Sequence, residues 1–301
     1  MIKGMKKFIL TLIAAALMPV LAMAQCPTPT TATATVTLKR VIPGLLDGKF
    51  SVSETKKVAF SQGNLQYQAS TDKWRFAEHQ WDAIGGTGSG SVAPLNVTSG
   101  NNTAEADRDT QSDWIDLFGW ATSGNSASGT RYQPWQCSDS DNNYGNTCKS
   151  DGTNPGSGEN WDASKADWAQ NMPGTWRTLT KDEWCYLIGG DSPCRPNATD
   201  LRQWKIVNGV PGLVIMPDGW TGTWSDSWET LEAANAVFLP AAGYRDRTFA
   251  QQAGTIGRYW SSTANGATYA YDLFFGSGTI SPKGYNVRYL GRSVRLVQDV
   301  K

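Results

Sequence analysis

From Lys57 onward, polar and apolar positions alternate. Val58 and Phe60, Leu65 and Tyr67, then Trp74 and Phe76 recur at every second residue of KKVAFSQGNLQYQASTDKWRFAE. This predicts half-buried strands broken at Gly63-Asn64 and at Ser70-Thr71-Asp72. Farther along, the period changes. In TLTKDEWCYLIGG, Thr180 and Glu183 have the spacing of a capping box, Trp184, Leu187 and Ile188 face inward, and Gly189-Gly190 stops the helix. WKIVNGVPGLVIMP sets Asn208-Gly209, a preferred turn dipeptide, between Ile206-Val207 and the run from Leu213 to Met216, which predicts a hairpin. A second short helix starts in SDSWETLEAAN with Asp226 and Glu229 as its box, and AVFLPAAGYRD returns as a buried strand.

Between these elements, Gly85 to Thr110 and Thr122 to Pro173 are dominated by Gly, Ser, Asn, Asp and Thr and read as loops. DWIDLFGW, Asp113 to Trp120, is an apolar island that packs on the core. Strands and two short helices in mixed order predict an α+β fold with small antiparallel sheets and long loops. The chain's 14 Trp and 31 Gly fit a compact, loop-rich, β-rich domain, its long polar stretches pinned by Trp135, Trp161 and Trp168.

The segment Arg258 to Val297 carries a second kind of pattern. Tyr271, Leu273 and Phe275 alternate with Asp272, Phe274 and Gly276, which share neither charge nor size. Successive strand residues point to opposite faces. A rigid inner face holds the backbone, so the outer face tolerates almost any residue, as in scaffolds that carry binding groups.

The N-terminal end changes the picture of where the domain works. Lys3, Lys6 and Lys7 precede an apolar run from Phe8 to Ala24 that ends in Ala22-Met23-Ala24, the pattern of a signal peptide over residues 1–24. The run is short for a membrane span, contains Pro19 and has no positive flank after it. Lipidation at Cys26 is disfavoured by Gln25, where a small residue is expected. Residues 25–43, rich in Pro and Thr, predict an extended tether, and residues 44–298 the domain. Removing residues 1–25 takes three lysines and no acids from 27 basic against 27 acidic residues, leaving −3. That balance lacks the basic excess of a nucleic-acid-binding chain. The expected location is secreted, periplasmic or on the cell surface, with no membrane span in the mature chain.

An exported chain permits disulfides. Cys137 and Cys148 bracket a polar loop and Cys185 and Cys194 a helix end. Four cysteines allow three connectivities, of which local pairing is the expectation. No CxxC is present, and the single histidine, His79, reads as a surface or structural residue, which leaves no Ser–His–Asp or Cys–His machinery. Asp139 and Asp141 lack the full calcium-loop spacing. Helix capping and solvated faces account for Asp182 with Glu183 and Glu229 with Glu232. Gly85-Gly86-Thr87-Gly88 is not followed by the Lys of a phosphate loop. No catalytic residue, metal or cofactor is assigned; a structural calcium lacks support.

Several motifs in order resemble one family. WRTLTKDEWCYL (Trp176–Leu187) resembles the helix start of the formylglycine-generating-enzyme branch of the C-type lectin fold. FLPAAGYRD, YWSS and GRSVRLV, with FSQGNLQYQ and WRFAE, resemble the Fibrobacter major-paralogue type of exported domain common in Bacteroidetes. The resemblance covers roughly Gly44 to Gln298 and implies a C-type lectin-like fold. The family includes variable proteins of diversity-generating retroelements, whose C-terminal segment is rewritten at adenines. Gly257, Tyr259 to Ser262, Ala270-Tyr271, Leu273, Phe275, Ser277, Pro282, Arg288-Tyr289, Gly291 and Ser293 to Val297 follow that family's constant frame.

The resemblance implies a variable region at 247–292. Its open positions here are Arg258, Asp272, Phe274, Gly276, Gly278, Ser281, Gly284, Tyr285, Val287, Leu290 and Arg292. All are reachable from an asparagine codon by adenine change; Lys283 is not. The cysteine pair of the sulfatase-modifying relatives is missing, since no cysteine follows Cys194. The expectation is a non-enzymatic binding protein whose partner is a protein or glycan on another cell, phage or host surface. Phe274, Tyr285, Arg258 and Arg292 would supply contact energy. A fixed-specificity glycan adhesin and an exported enzyme with a degenerate formylglycine-type site are the alternatives.

Overall fold

A computed structural model of the chain describes residues 43–85, 113–121, 167–190, 192–246, 249–266, 268–288 and 290–301. The leader, most of the tether, Cys26, Cys137, Cys148, Asp139, Asp141, Trp135 and Trp161 lie outside the described residues. Residues 43–301 form one compact unit. Its described part is built of small antiparallel sheets with two helices.

The early alternation forms β2 (Lys57–Phe60), β3 (Leu65–Gln68) and β4 (Lys73–Phe76), and a short β1 (Phe50–Ser51) ahead of it pairs with β2. A 3-10 turn at Ala69–Thr71 and Asp72 at positive φ separate β3 from β4. The C-terminal β13 (Val297–Val300) pairs with β2, so both ends of the domain share one sheet. Helix α1 (Lys181–Ile188) starts at the capping box, with both the Thr180 and the Glu183 bonds formed, and ends at Gly189. Arg177 donates to both oxygens of Glu183 at 2.7 and 2.9 Å and to Asp299 at 2.7 Å, which locks the helix start onto β13.

Strands β5 (Arg202–Val207) and β6 (Val210–Ile215) form the hairpin, with Asn208 and Gly209 at φ 49° and 82°. Both torsions are positive, as a type I′ turn requires. Helix α2 (Trp228–Ala233) is capped by Ser227, not Asp226: the Ser227 hydroxyl accepts from Thr230 N, while Asp226 binds Lys205 Nζ at 2.6 Å. Strand β7 (Val237–Pro240) is buried throughout and adds to β6. After the short pair β8 (Tyr244–Asp246) and β9 (Phe249–Gln251), the three-stranded sheet of β10 (Ile256–Asn265), β11 (Tyr269–Gly276) and β12 (Thr279–Val287) completes the domain.

That last sheet is covered on both sides. One face presents Tyr259, Leu273 and Phe275 to a core shared with Phe60, Trp184, Leu187 and Leu239. Gly257 belongs to this face because a Cβ there would sit 2.0 Å from the Phe275 ring. On the other face, Trp260 and Ala270 join a tryptophan-rich cluster with Phe118, Trp120, Trp168 and Trp176, which seats the DWIDLFGW island. Among the described residues, no helix is long and apolar enough to cross a membrane.

No disulfide links Cys185 and Cys194. Cys185 is buried on α1, with Sγ 4.0 Å from the Pro282 carbonyl, whereas Cys194 is exposed past the turn that follows the helix. His79 is exposed, stacks on Trp81 and contacts Asp82 at 3.2 Å.

Candidate functional site

A cleft of about 230 Å³ opens beside the second face of the β10–β12 sheet. Tyr244, Asp246, Gln252, Arg258, Asn286, Val287, Leu290 and Arg292 line it. Four of these, Arg258, Val287, Leu290 and Arg292, are open positions of the sequence frame. The strand register explains the grouping. Arg258 pairs with Phe274 and Trp260 with Asp272 across β10 and β11, and Asp272 pairs with Gly284 across β11 and β12. These side chains therefore share one face. The terminal strip crosses that face, anchored by bridges from Tyr259 to Ser293 and from Phe118 to Arg292.

Behind the lining, Asp272 Oδ2 is shared by two arginines of the cleft. Arg258 Nη1 donates to it at 3.1 Å, and Arg292 Nη1 is in direct ion-pair contact with it. Asp272 and Arg292 are fully buried, and Arg258 is half-buried. Each guanidinium also covers an aromatic ring: Arg258 Cζ is 4.5 Å from the Phe274 centroid and Arg292 Cζ 4.3 Å from that of Trp260. Such contacts partly replace lost hydration. Burial, and then the like charge of Arg258, pull the Arg292 pKa well below its ordinary value, with Tyr244 offsetting a part. Burial also lowers that of Arg258. The charged forms are thus costly where they stand, because a buried charge loses water that one carboxylate does not fully replace. Among the described residues, Nε and Nη2 of Arg292 and Oδ1 of Asp272 meet no hydrogen-bond partner.

The remaining expected positions divide. Asp272 does not reach solvent as the alternation alone suggests, because the Arg292 strip lies over it; Gly276 and Leu290 are buried as well. Gly284 packs so closely that a Cβ would lie 2.2 Å from Asp272 Oδ1 and 3.0 Å from the Asp272 carbonyl. Gly278 is open at the β11–β12 turn, and Ser281 is half-buried opposite Phe274. Tyr285 is exposed but pairs with Tyr271, on the face opposite the cleft, where its ring meets Tyr269 and Tyr271 edge-on. One extra residue on β12 between Ser281 and Gly284 causes this, since a bulge flips the alternation beyond it.

Tyr244, Asp246, Gln252 and Asn286 complete the cleft and were not expected there. Asn286 lies between Pro282 and Arg288, where the frame leaves positions open, so that signal was available. Tyr244 and Asp246 stand in the GYRD strand, which reads as scaffold; nothing local marks them. Among the described residues, no group of three or more His, Cys, Asp or Glu is placed to hold a metal ion.

No curated protein and no solved structure matches the chain. A family model described as a domain of unknown function, DUF8237, matches residues 225–297, a span that runs from the α2 cap to the start of β13 and contains every residue lining the cleft.

Proposed function

We propose that this is a secreted or surface-displayed, non-enzymatic ligand-binding protein of C-type lectin-like fold, with the cleft beside β10–β12 as its binding site. The observation that carries the reading is Arg292, a fully buried residue of the cleft lining that keeps two donors, Nε and Nη2, without partners. A buried arginine with open hydrogen-bonding capacity is costly for folding alone, and such sites concentrate where ligands bind. The segment that carries the fold resemblance, the start of α1, is locked onto β13 by Arg177 with Glu183 and Asp299. Retroelement-driven variation of the cleft wall fits Val287 and Leu290, which line it as open positions of the frame.

The contact between Gly284 and Asp272 favours a second reading, a fixed-specificity adhesin. Any side chain at 284 collides with the carboxylate that serves both arginines, so these positions cannot vary independently. Sequencing the DNA around the coding region separates the two: a near-copy of the 258–292 segment beside a reverse transcriptase supports diversification, and its absence leaves the adhesin. The cleft assignment itself is tested by Asn286→Trp, whose side chain stands on the cleft face of β12 and fills the cleft from its wall. Binding to a glycan and peptide array is expected to disappear in this variant while its unfolding transition is kept; retained binding overturns the assignment.

A further inference from the structure

We propose that the cleft receives a carboxylate group projecting from a larger ligand, gripped side-on by Arg292 with help from Arg258. This rests on the cleft being the binding site and adds the chemistry that it selects.

Size sets the first limit. At about 230 Å³ the cleft is smaller than the roughly 300–1,000 Å³ of sites that enclose whole small molecules. It takes one substituent, with the rest of the ligand outside.

The donor pattern sets the second. Arg292 uses Nη1 on Asp272, which leaves Nε and Nη2 without acceptors. Those two nitrogens form one edge of the guanidinium, with parallel N–H bonds whose spacing matches the two oxygens of a carboxylate. Charge bears on the sign of that group. Arg292, Arg258 and Asp246 all line the cleft, Asp246 half-buried as Arg258 is, and with Asp272 behind them the four groups sum to zero. The pull on an anion therefore comes from the free edge of Arg292 itself, where Leu290 helps to exclude water. A planar monoanion meets the size and donor conditions.

A carboxylate of this kind is offered by acidic sugars, such as uronic and sialic acids, and by acidic peptides. Full-length exported protein is titrated against immobilised glucuronate, N-acetylneuraminate, neutral galactose and sulfated galactose. Parallel arms carry a Glu-containing peptide and its Gln counterpart. Wild type, Arg258→Gln and Asn286→Trp are compared, with thermal unfolding to show that each is folded. At least one carboxylate probe is expected to bind more than about tenfold tighter than its neutral counterpart, since a hydrogen bond to a charged group contributes roughly 1.5–3 kcal/mol. Arg258→Gln is expected to lose about ten- to a hundredfold of that binding. The arm that responds identifies the source. No carboxylate binding at millimolar probe, equal binding of neutral counterparts, or preference for the sulfated sugar overturns the inference. If neutral probes bind and Asn286→Trp abolishes that binding, the cleft remains the site and only the carboxylate preference fails. If Asn286→Trp leaves every probe bound, both fail.

Discussion

Arg292 and Arg295 stand three residues apart in the same terminal strip, and both are buried, yet they meet opposite surroundings. Arg295 is held by neutral acceptors from distant parts of the chain: the Gln62 carbonyl and Gln80 Oε1 at 3.2 Å each, and Asn64 Oδ1 at 3.5 Å. Tyr259 sits beside it, donating to the Pro240 carbonyl at 2.9 Å and accepting from Asn64 at 3.2 Å. Burial brings the Arg295 pKa down to about 10, with Tyr259 offsetting a part. Arg292 instead leans on one carboxylate and lines a cleft. The first arginine cross-links the early strands to the C-terminus. The second keeps both Nε and Nη2 without acceptors, where the first lacks one for Nε alone. A guanidinium wrapped by protein carbonyls and amides reads as structure; one with an idle edge at a cleft reads as a receptor.

The largest effect is expected at Asp272. Asp272→Asn leaves two arginines facing each other without a counter-charge and should cost about 3–5 kcal/mol of stability in chemical denaturation. A loss under about 1 kcal/mol would show that water already compensates the pair, and would erase the electrostatic contrast with Arg295. Arg295→Met should cost about 2–4 kcal/mol, because it strips the donor from three acceptors, two of them in buried bonds, and it should leave binding at the cleft unchanged in the folded fraction. Weakened binding there would show that the two arginines form one unit.

Gly284→Ala should cost about 1–3 kcal/mol as overpacking against Asp272. The cost should shrink in an Asp272→Ala background, and a double-mutant cycle measures that coupling. The smallest effect belongs to Tyr285→Ala, which should stay within about 0.5 kcal/mol in stability and should not alter binding at the cleft, since the ring is exposed on the other face. Loss of cleft binding in that variant would mean that the ligand wraps the sheet edge.

The local devices were legible in the sequence. The Thr180–Glu183 box, the Asn208-Gly209 turn and the inward row of Leu273 and Phe275 each depend on residues within a few positions of one another. Such signals survive without knowledge of the rest of the fold. The cap of α2 was less legible, because Asp226 and Ser227 are both good caps and Lys205, far away in sequence, engages Asp226. The cysteine pairing at 185 and 194 failed for a related reason: loop length brings two cysteines near, but the inward face of α1 turns one thiol into the core while the other stays in solvent.

The chain by itself determined that the β10–β12 segment has two faces and which residues hold the backbone, because the period of a strand is written in its alternation. It also set aside Arg258, Asp272, Phe274 and Arg292 as residues outside that frame. Only the tertiary structure decided what the second face became. A terminal strip folded over it, burying Asp272 between two arginines; a one-residue bulge sent Tyr285 to the opposite side; and β8 closed the cleft with Tyr244 and Asp246. Alternation counts residues along one strand, whereas covering, flipping and enclosure depend on where other parts of the chain come to rest.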